Sequence, residues 1–172
     1  MRRDETWCRV LFVMALVVTQ AVSAATKQPN VIVVFIDDLG WTDLGCYGSK
    51  FYETPHIDQL AKQGVMFTRA YSSCNVCSPT RASLMTGKYP QRVAFTSWLN
   101  PGKPSGANSA ATHLPASETT IGEAFQQAGY RTGYIGKWHV GSKKIGMPKQ
   151  HGFDWQMATA KHGLPGSYFH PY

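Results

Sequence analysis

Carboxylates are scarce in this chain: 10 Asp and Glu stand against 17 Lys and Arg in 172 residues, a net charge of +7. Charged residues of both signs reach only 16% while hydrophobic residues reach 43%, which excludes a disordered chain and fits a globular one. Long apolar runs are missing as well. The longest, Val10–Val18, is about half of the roughly 20 residues that a membrane span needs. No basic-aromatic nucleic-acid motif accompanies the positive balance, so nucleic acid is not an expected partner. Cysteine is sparse, and no second C-x-x-C exists to complete a zinc site around Cys74-Asn75-Val76-Cys77. Internal repeats are lacking too. At roughly 100–200 residues per domain, the length allows one domain and not a large two-domain enzyme.

What is present begins with a leader. Residues 1–24 read as a secretory signal peptide, with Arg2 and Arg3 ahead of the apolar run and small residues at Val22-Ser23-Ala24. No Cys follows the run to take a lipid, so the expectation is export, periplasmic or secreted, with no stable membrane span after cleavage. Three arginines and two acids leave with the leader, so 25–172 keeps +6. The excess gathers in 131–172, as suits either a solvated face or attraction to an anionic substrate. Cys46, Cys74 and Cys77 remain. An odd number in an oxidising compartment implies that one of them does something other than pair. A disulfide between Cys46 and Cys74 stays open.

The mature chain alternates strand and helix patterns. Asn30–Ile36 is an unbroken apolar, β-branched run of the kind expected for a buried parallel strand, ending at Asp37-Asp38. Thr54–Gly64 carries the marks of a helix: Thr54 as N-cap, Pro55 first, Asp58 near the positive end, Gly64 as stop, with Ile57, Leu60 and Ala61 as apolar stripe. Val65–Tyr71 reads as a second strand. A helix beginning near Cys77 ends at Gly87, and residues 100–117 read as a surface loop. Thr120 and Glu123 have capping-box spacing for a helix to Ala128, with Ile121, Ala124, Phe125 and Ala128 as its buried face. Tyr130–Gly136 is a third strand leading into Lys137-Trp138-His139. Beyond Val140 the sequence is polar and irregular apart from Gly152-Phe153-Asp154. The order predicts an α/β fold, a mostly parallel sheet flanked by helices.

Two stretches could do chemistry. Adjacent carboxylates at the end of a parallel strand sit where α/β folds place a ligand crevice. Asp37-Asp38 is therefore either a hard-oxygen cation site or an ordinary strand-to-turn pair. Cys77-Ser78-Pro79-Thr80-Arg81 puts a nucleophile at a helix N-terminus, where free N–H groups favour an anion, with Arg81 one turn on and able to reach back.

With these residues the chain resembles the sulfatase family. Cys77-Ser78-Pro79-Thr80-Arg81, extended to Thr86-Gly87, matches the hallmark C-x-P-x-R; Asn30–Gly40 is similar to the family's opening strand, and Thr54-Pro55-His56-Ile57-Asp58 to its first helix. Gly136-Lys137-Trp138-His139-Val140-Gly141 matches its G-K-W-H-x-G block, and Gly152-Phe153-Asp154 the G-F-D that follows. The resemblance implies an alkaline-phosphatase-like fold and sulfuric ester hydrolysis. It implies that Cys77 is converted by a formylglycine-generating enzyme into formylglycine, whose hydrate attacks sulfur and keeps a second hydroxyl to expel sulfate. It implies that Asp37 and Asp38 bind a divalent cation, Ca²⁺ with Mg²⁺ as the alternative, together with an oxygen of modified residue 77. It further implies that Arg81 holds the hydrate and that Lys137 and His139 contact the sulfate and the hydrate hydroxyls. Ser78, Pro79 and Thr80 would belong to the signal read by the modifying enzyme. The substrate would be a sulfated small molecule or carbohydrate.

The matched motifs cover the family's N-terminal portion, so 25–172 is expected to be the front of a truncated catalytic domain, lacking further metal ligands and a leaving-group acid and inactive alone. Two rival readings are a phosphate or phosphonate monoester hydrolase of the same superfamily and a vestigial, non-catalytic domain. His56, His113, His151, His162 and His170 are expected at surface or loop positions. Lys88 is expected to be structural or solvent-facing, and Trp41 and Trp98 to lie in ordinary packing.

Overall fold

The computed structural model describes residues 28–100, 111–142 and 145–159. The signal peptide, the Pro/Gly-rich stretch 101–110, His162 and His170 lie outside the described residues. The chain divides into two units, Met1–Asp38 and Leu39–Tyr172.

In the first unit the expected strand does not form. Val31–Ile36 joins no sheet ladder among the described residues, and its side chains are exposed, Ile32 at 87%. A parallel strand exists only beside a neighbouring strand and with helices on its faces. Hydrophobic content alone cannot supply either.

Among its described residues the second unit carries three α-helices. Helix α1, Pro55–Gln63, starts at Pro55 as expected and stops at Gly64. Thr54, however, does not cap it through its side chain. Its Oγ1 accepts from the Gly45 amide (2.8 Å) and donates to Asp58 Oδ1 (3.0 Å), which also accepts from the Cys46 amide (2.7 Å). Asp58 thus ties α1 to the 3-10 turn Gly45–Tyr47. The expected apolar stripe is only partly covered, with Leu60 exposed. Val65–Tyr71, the expected second strand, is irregular and exposed because no strand among the described residues lies beside it. Helix α2, Cys77–Thr86, ends on Gly87 in the left-handed region.

Helix α3, Ile121–Gln127, opens on the expected capping box: Thr120 Oγ1 accepts from the Glu123 amide while the Glu123 carboxylate accepts from the Thr120 amide. Its buried residue is Gly122, whereas Ala124 and Ala128 face solvent. The reason is a close crossing. A Cβ on Gly122 would sit 2.5 Å from the His151 carbonyl oxygen, so the helix approaches that backbone through its glycine instead of an apolar stripe. Gly152, at φ +77°, supplies the matching bend.

Strands β1 (Gly133–Lys137) and β2 (Trp155–Thr159) pair in parallel, Gly133 opposite Trp155 and Lys137 opposite Thr159. The β1 strand overlaps the expected third strand but starts three residues later and takes in Lys137; β2 lies where the sequence read as irregular. The crossover between them contains the 3-10 helix Pro148–His151. Asp154 fastens this corner, accepting from the Thr132 amide (2.8 Å), Arg131 Nε (3.2 Å) and Gln126 Nε2 (2.9 Å). The core gathers Ala82 and Met85 of α2, Val93, Phe95 and Leu99, Leu114, Trp138, Val140 and Phe153. Trp41 and Trp98, expected to pack, are exposed at 76% and 56%. Cys46 and Cys74 are free thiols, as is Cys77. Lys88 pairs with Glu118.

Candidate active site

The site is built where the start of α2 meets the end of β1. Cys77 is the first residue of α2, and Val76 before it is extended and offers no side-chain cap. Pro79 is tolerated because the first turn needs no i−4 hydrogen bond from it. Ser78, Pro79, Arg81, Ala82 and Met85 are all buried, so this helix presents its motif residues inward.

On the facing side, Trp138 is the anchor. It is 1% exposed, stacks edge-on against Tyr134 (4.9 Å between ring centroids) and donates Nε1–H to the Gly146 carbonyl (2.6 Å). Burying an indole with its N–H satisfied fixes the backbone on both sides of it. Lys137 and His139 flank that anchor. His139 adopts φ +57°, a left-handed conformation that turns the chain as it leaves the strand.

The turn brings His139 Nδ1 to 3.2 Å from Cys77 Sγ, across 62 residues of sequence. Its Nε2 lies 2.9 Å from the Leu99 carbonyl. A carbonyl can only accept, so Nε2 carries the hydrogen, and in the neutral ring Nδ1 is the acceptor facing the thiol. Arg81 reaches β1: its Nη1 donates to the Tyr134 hydroxyl (3.3 Å) and to the Lys137 carbonyl, while Tyr134 donates to the same carbonyl (2.5 Å). Ahead of the helix, Thr80 Oγ1 donates to the Cys74 carbonyl (2.7 Å) and holds the approach loop.

Of the residues expected from sequence, Cys77 and His139 meet, while the Arg81 guanidinium is bonded to the Tyr134 hydroxyl and the Lys137 carbonyl. Asp37 and Asp38 belong to the first unit; Asp38 stands at φ +57° at its end. Two adjacent carboxylates are hard oxygen donors, so their chemistry fits Ca²⁺ or Mg²⁺, but they fill only part of a shell of about six to eight oxygens. Among the described residues no group of three or more His, Cys, Asp or Glu is placed to hold a metal. A shallow cavity of about 340 Å³ lies apart from the Cys77–His139 pair, lined by Gly45, Cys46, Asp58, Ala61, Lys62 and Met66.

Three participants were not expected. Ser78 accepts the Leu99 amide (2.8 Å), the Leu99 carbonyl holds His139, and Tyr134 bridges Arg81 to Lys137. Backbone groups of Leu99 carry no residue-type signal, so only the fold could reveal them. His151, expected at the surface, is 1% exposed, and its pKa lies below 6.5, chiefly through desolvation.

Comparison with known proteins places the chain among relatives in sequence and fold. The Sulfatase family model matches residues 29–166. Human N-acetylgalactosamine-6-sulfatase is 38% identical over 152 residues, covering 87% of this chain and 28% of that protein. Human steryl-sulfatase is 38% identical over 153 residues, covering 86% of this chain and 26% of that protein. The crystal structure of PsFucS1 sulfatase from Pseudoalteromonas sp. superposes with a TM-score of 0.65 at 33% identity, covering 91% of this chain and 30% of that one. The chain thus spans somewhat over a quarter of the length of the relatives it matches. With likeness in sequence and in fold across nearly all the described residues, the chain belongs to the sulfatase family.

Proposed function

We propose that this chain carries the nucleophile-bearing part of a sulfuric ester hydrolase, acting on a sulfated carbohydrate or other sulfated small molecule. The observation that carries the reading is the 3.2 Å approach of Cys77 Sγ to His139 Nδ1, since both residues fall in motifs matched to the family. Cys77 is the residue a formylglycine-generating enzyme would convert, before or during export of the chain. When installed, the aldehyde hydrate supplies an oxygen nucleophile and a second hydroxyl for release of sulfate. His139 offers an unprotonated Nδ1 to whatever atom occupies the position of Cys77 Sγ, and can take a proton there. Arg81 and Lys137 bring positive charge to an anionic ester, the electrostatic complement a sulfuryl group requires. Asp37 and Asp38 are proposed as ligands of a divalent cation, Ca²⁺ or Mg²⁺, which when bound adds further positive charge for the sulfate oxygens.

The sugar and the sterol in the relatives' names share one chemical feature with this proposal, a sulfate ester. Peptide mass spectrometry tests the modification directly. After co-expression with a formylglycine-generating enzyme, the peptide containing residue 77 is expected to carry an aldehyde; an unmodified thiol there counts against the reading. Aryl sulfate and aryl phosphate assayed side by side on the complete gene product are expected to favour sulfate, with Cys77→Ala abolishing turnover. Preferential phosphate release would overturn the sulfatase assignment, and an unaffected Cys77→Ala rate would overturn the nucleophile.

A further inference from the structure

Ser78 has an ordinary reading as part of the motif presented to the modifying enzyme. Its position in the folded chain gives it different work. The side chain is fully buried, so its hydroxyl is not displayed to any partner. Its Oγ accepts the Leu99 amide at 2.8 Å; the carbonyl of that same residue accepts His139 Nε2–H at 2.9 Å; and His139 Nδ1 faces Cys77 Sγ at 3.2 Å. Cys77 and Ser78 are neighbours, so the relay leaves the start of α2 through one residue and returns to it through the next.

From this closed circuit we infer that Ser78 is a positioning residue: through Leu99 it sets the tautomer and orientation of His139. The chemistry follows from the donor count. Leu99 itself lies outside the helices and strands, and Asn100 after it makes an isolated bridge, so the hold on the Leu99 amide comes from a side chain and not from a regular ladder. Its amide is held by the Ser78 hydroxyl. Without that acceptor the buried amide before the Leu99 Cα is left unsatisfied, and rotation about the Leu99 φ and ψ can carry the carbonyl after it away from Nε2. A ring that loses its Nε2–H acceptor is held less strongly in the tautomer that keeps Nδ1 bare, since the Cys77 S–H facing Nδ1 is only a weak donor. The left-handed backbone of His139 adds to the need for such a hold, because that conformation is not self-stabilising for a residue with a Cβ.

The catalytic meaning of this hold rests on the proposed sulfatase reading, whereas the hold itself can be read without turnover. The test is long-range proton–nitrogen correlation NMR of the histidine rings in the full ¹⁵N-labelled chain. The wild-type chain is expected to show His139 as the Nε2–H tautomer. Ser78→Ala is expected to shift its tautomer ratio toward Nδ1–H by about five-fold, the effect one hydrogen bond carries. Ser78→Thr, which keeps the oxygen, is expected to restore the wild-type pattern. Ser78→Cys, with a weaker acceptor of similar size, gives an intermediate shift and serves if the alanine variant does not fold. As a control, Thr120→Ala removes another buried hydroxyl, the donor to the His151 carbonyl. It is expected to lower stability and leave the His139 signals in place.

A wild-type proton on Nδ1 overturns the proposal whatever the variants do, and so does an unshifted ratio in folded Ser78→Ala or Ser78→Cys. An Nε2–H tautomer that responds to Ser78 in a protein that releases no sulfate counts against the proposed function and leaves this inference standing.

Discussion

Two histidines in this chain show how environment divides one residue type into two uses. His139 is buried with both ring nitrogens engaged, one by Cys77 and one by Leu99. His151 is buried against Trp138, with Nδ1 lacking a hydrogen-bond partner among the described residues. Desolvation lowers the His151 pKa from 6.5; the Glu123 carboxylate and a Leu114 backbone contact pull it upward, and His113 pushes it down. The folded state therefore disfavours the imidazolium, and the unfolded chain takes up the proton first as pH falls. Stability from this group is present above about pH 6.5 and is lost as pH drops toward the lower, folded pKa. Urea midpoints measured from pH 7.5 to 5 are expected to decline, and His151→Phe is expected to flatten that decline. Asp154 acts at a lower range. The Thr132 amide, foremost, and then Gln126 and Arg131 hold its carboxyl below 3.8, so its contribution is present above that value and lost as pH falls further. Nothing in the sequence distinguished His151 from the exposed His56, because burial of an isolated histidine is decided by elements far away in the chain.

At the scale of elements, local signals were legible and partnered ones were not. The capping box at Thr120 and Glu123, the Pro55 start and the Gly87 stop are decided within one helical turn, and all three appear where their spacing places them. Strands are defined by neighbours. Among the described residues Val31–Ile36 and Val65–Tyr71 have β-branched or aromatic content without a ladder, while Trp155–Thr159, with a weaker pattern, pairs because Gly133–Lys137 lies beside it. The motif residues of the site were legible as types; the approach of His139 to Cys77 depended on the Trp138 anchor and the Leu99 backbone. The α3 crossing yields a sharp prediction. A methyl at Gly122 meets the His151 carbonyl oxygen at 2.5 Å and Phe153 Cε2 at 2.9 Å. Alanine gains up to about 1 kcal/mol in helix propensity, yet forced overpacking of a backbone contact costs about 1–3 kcal/mol. Gly122→Ala is thus expected to be net destabilising by urea titration, whereas Gln127→Ala at the exposed end of the same helix should change little.

At the scale of the molecule, exposed apolar side chains stand out among the described residues. Among the described residues Val31, Ile32, Val34, Phe51, Val65, Phe67, Ile135 and Met157 are all exposed, and exposed apolar surface favours association. Among the described residues no helix is long and apolar enough to cross a membrane. The 172-residue chain is therefore expected to associate with rising concentration, read by light scattering, and Ile32→Lys with Val34→Lys should raise the concentration at which scattering begins. An unchanged onset would mean that the segment before Asp37 is not the source. A different kind of consequence follows from the backbone of His139. Its φ of +57° is a conformation that glycine or asparagine occupies at lower cost, so histidine is not what folding alone would choose there. Saturation of position 139 followed by selection for soluble, folded chain should drift toward Gly and Asn, while selection of the complete gene product for sulfate release should return His. The two outcomes together would measure, in allele frequencies, how far the needs of the fold and of the chemistry diverge at a single residue.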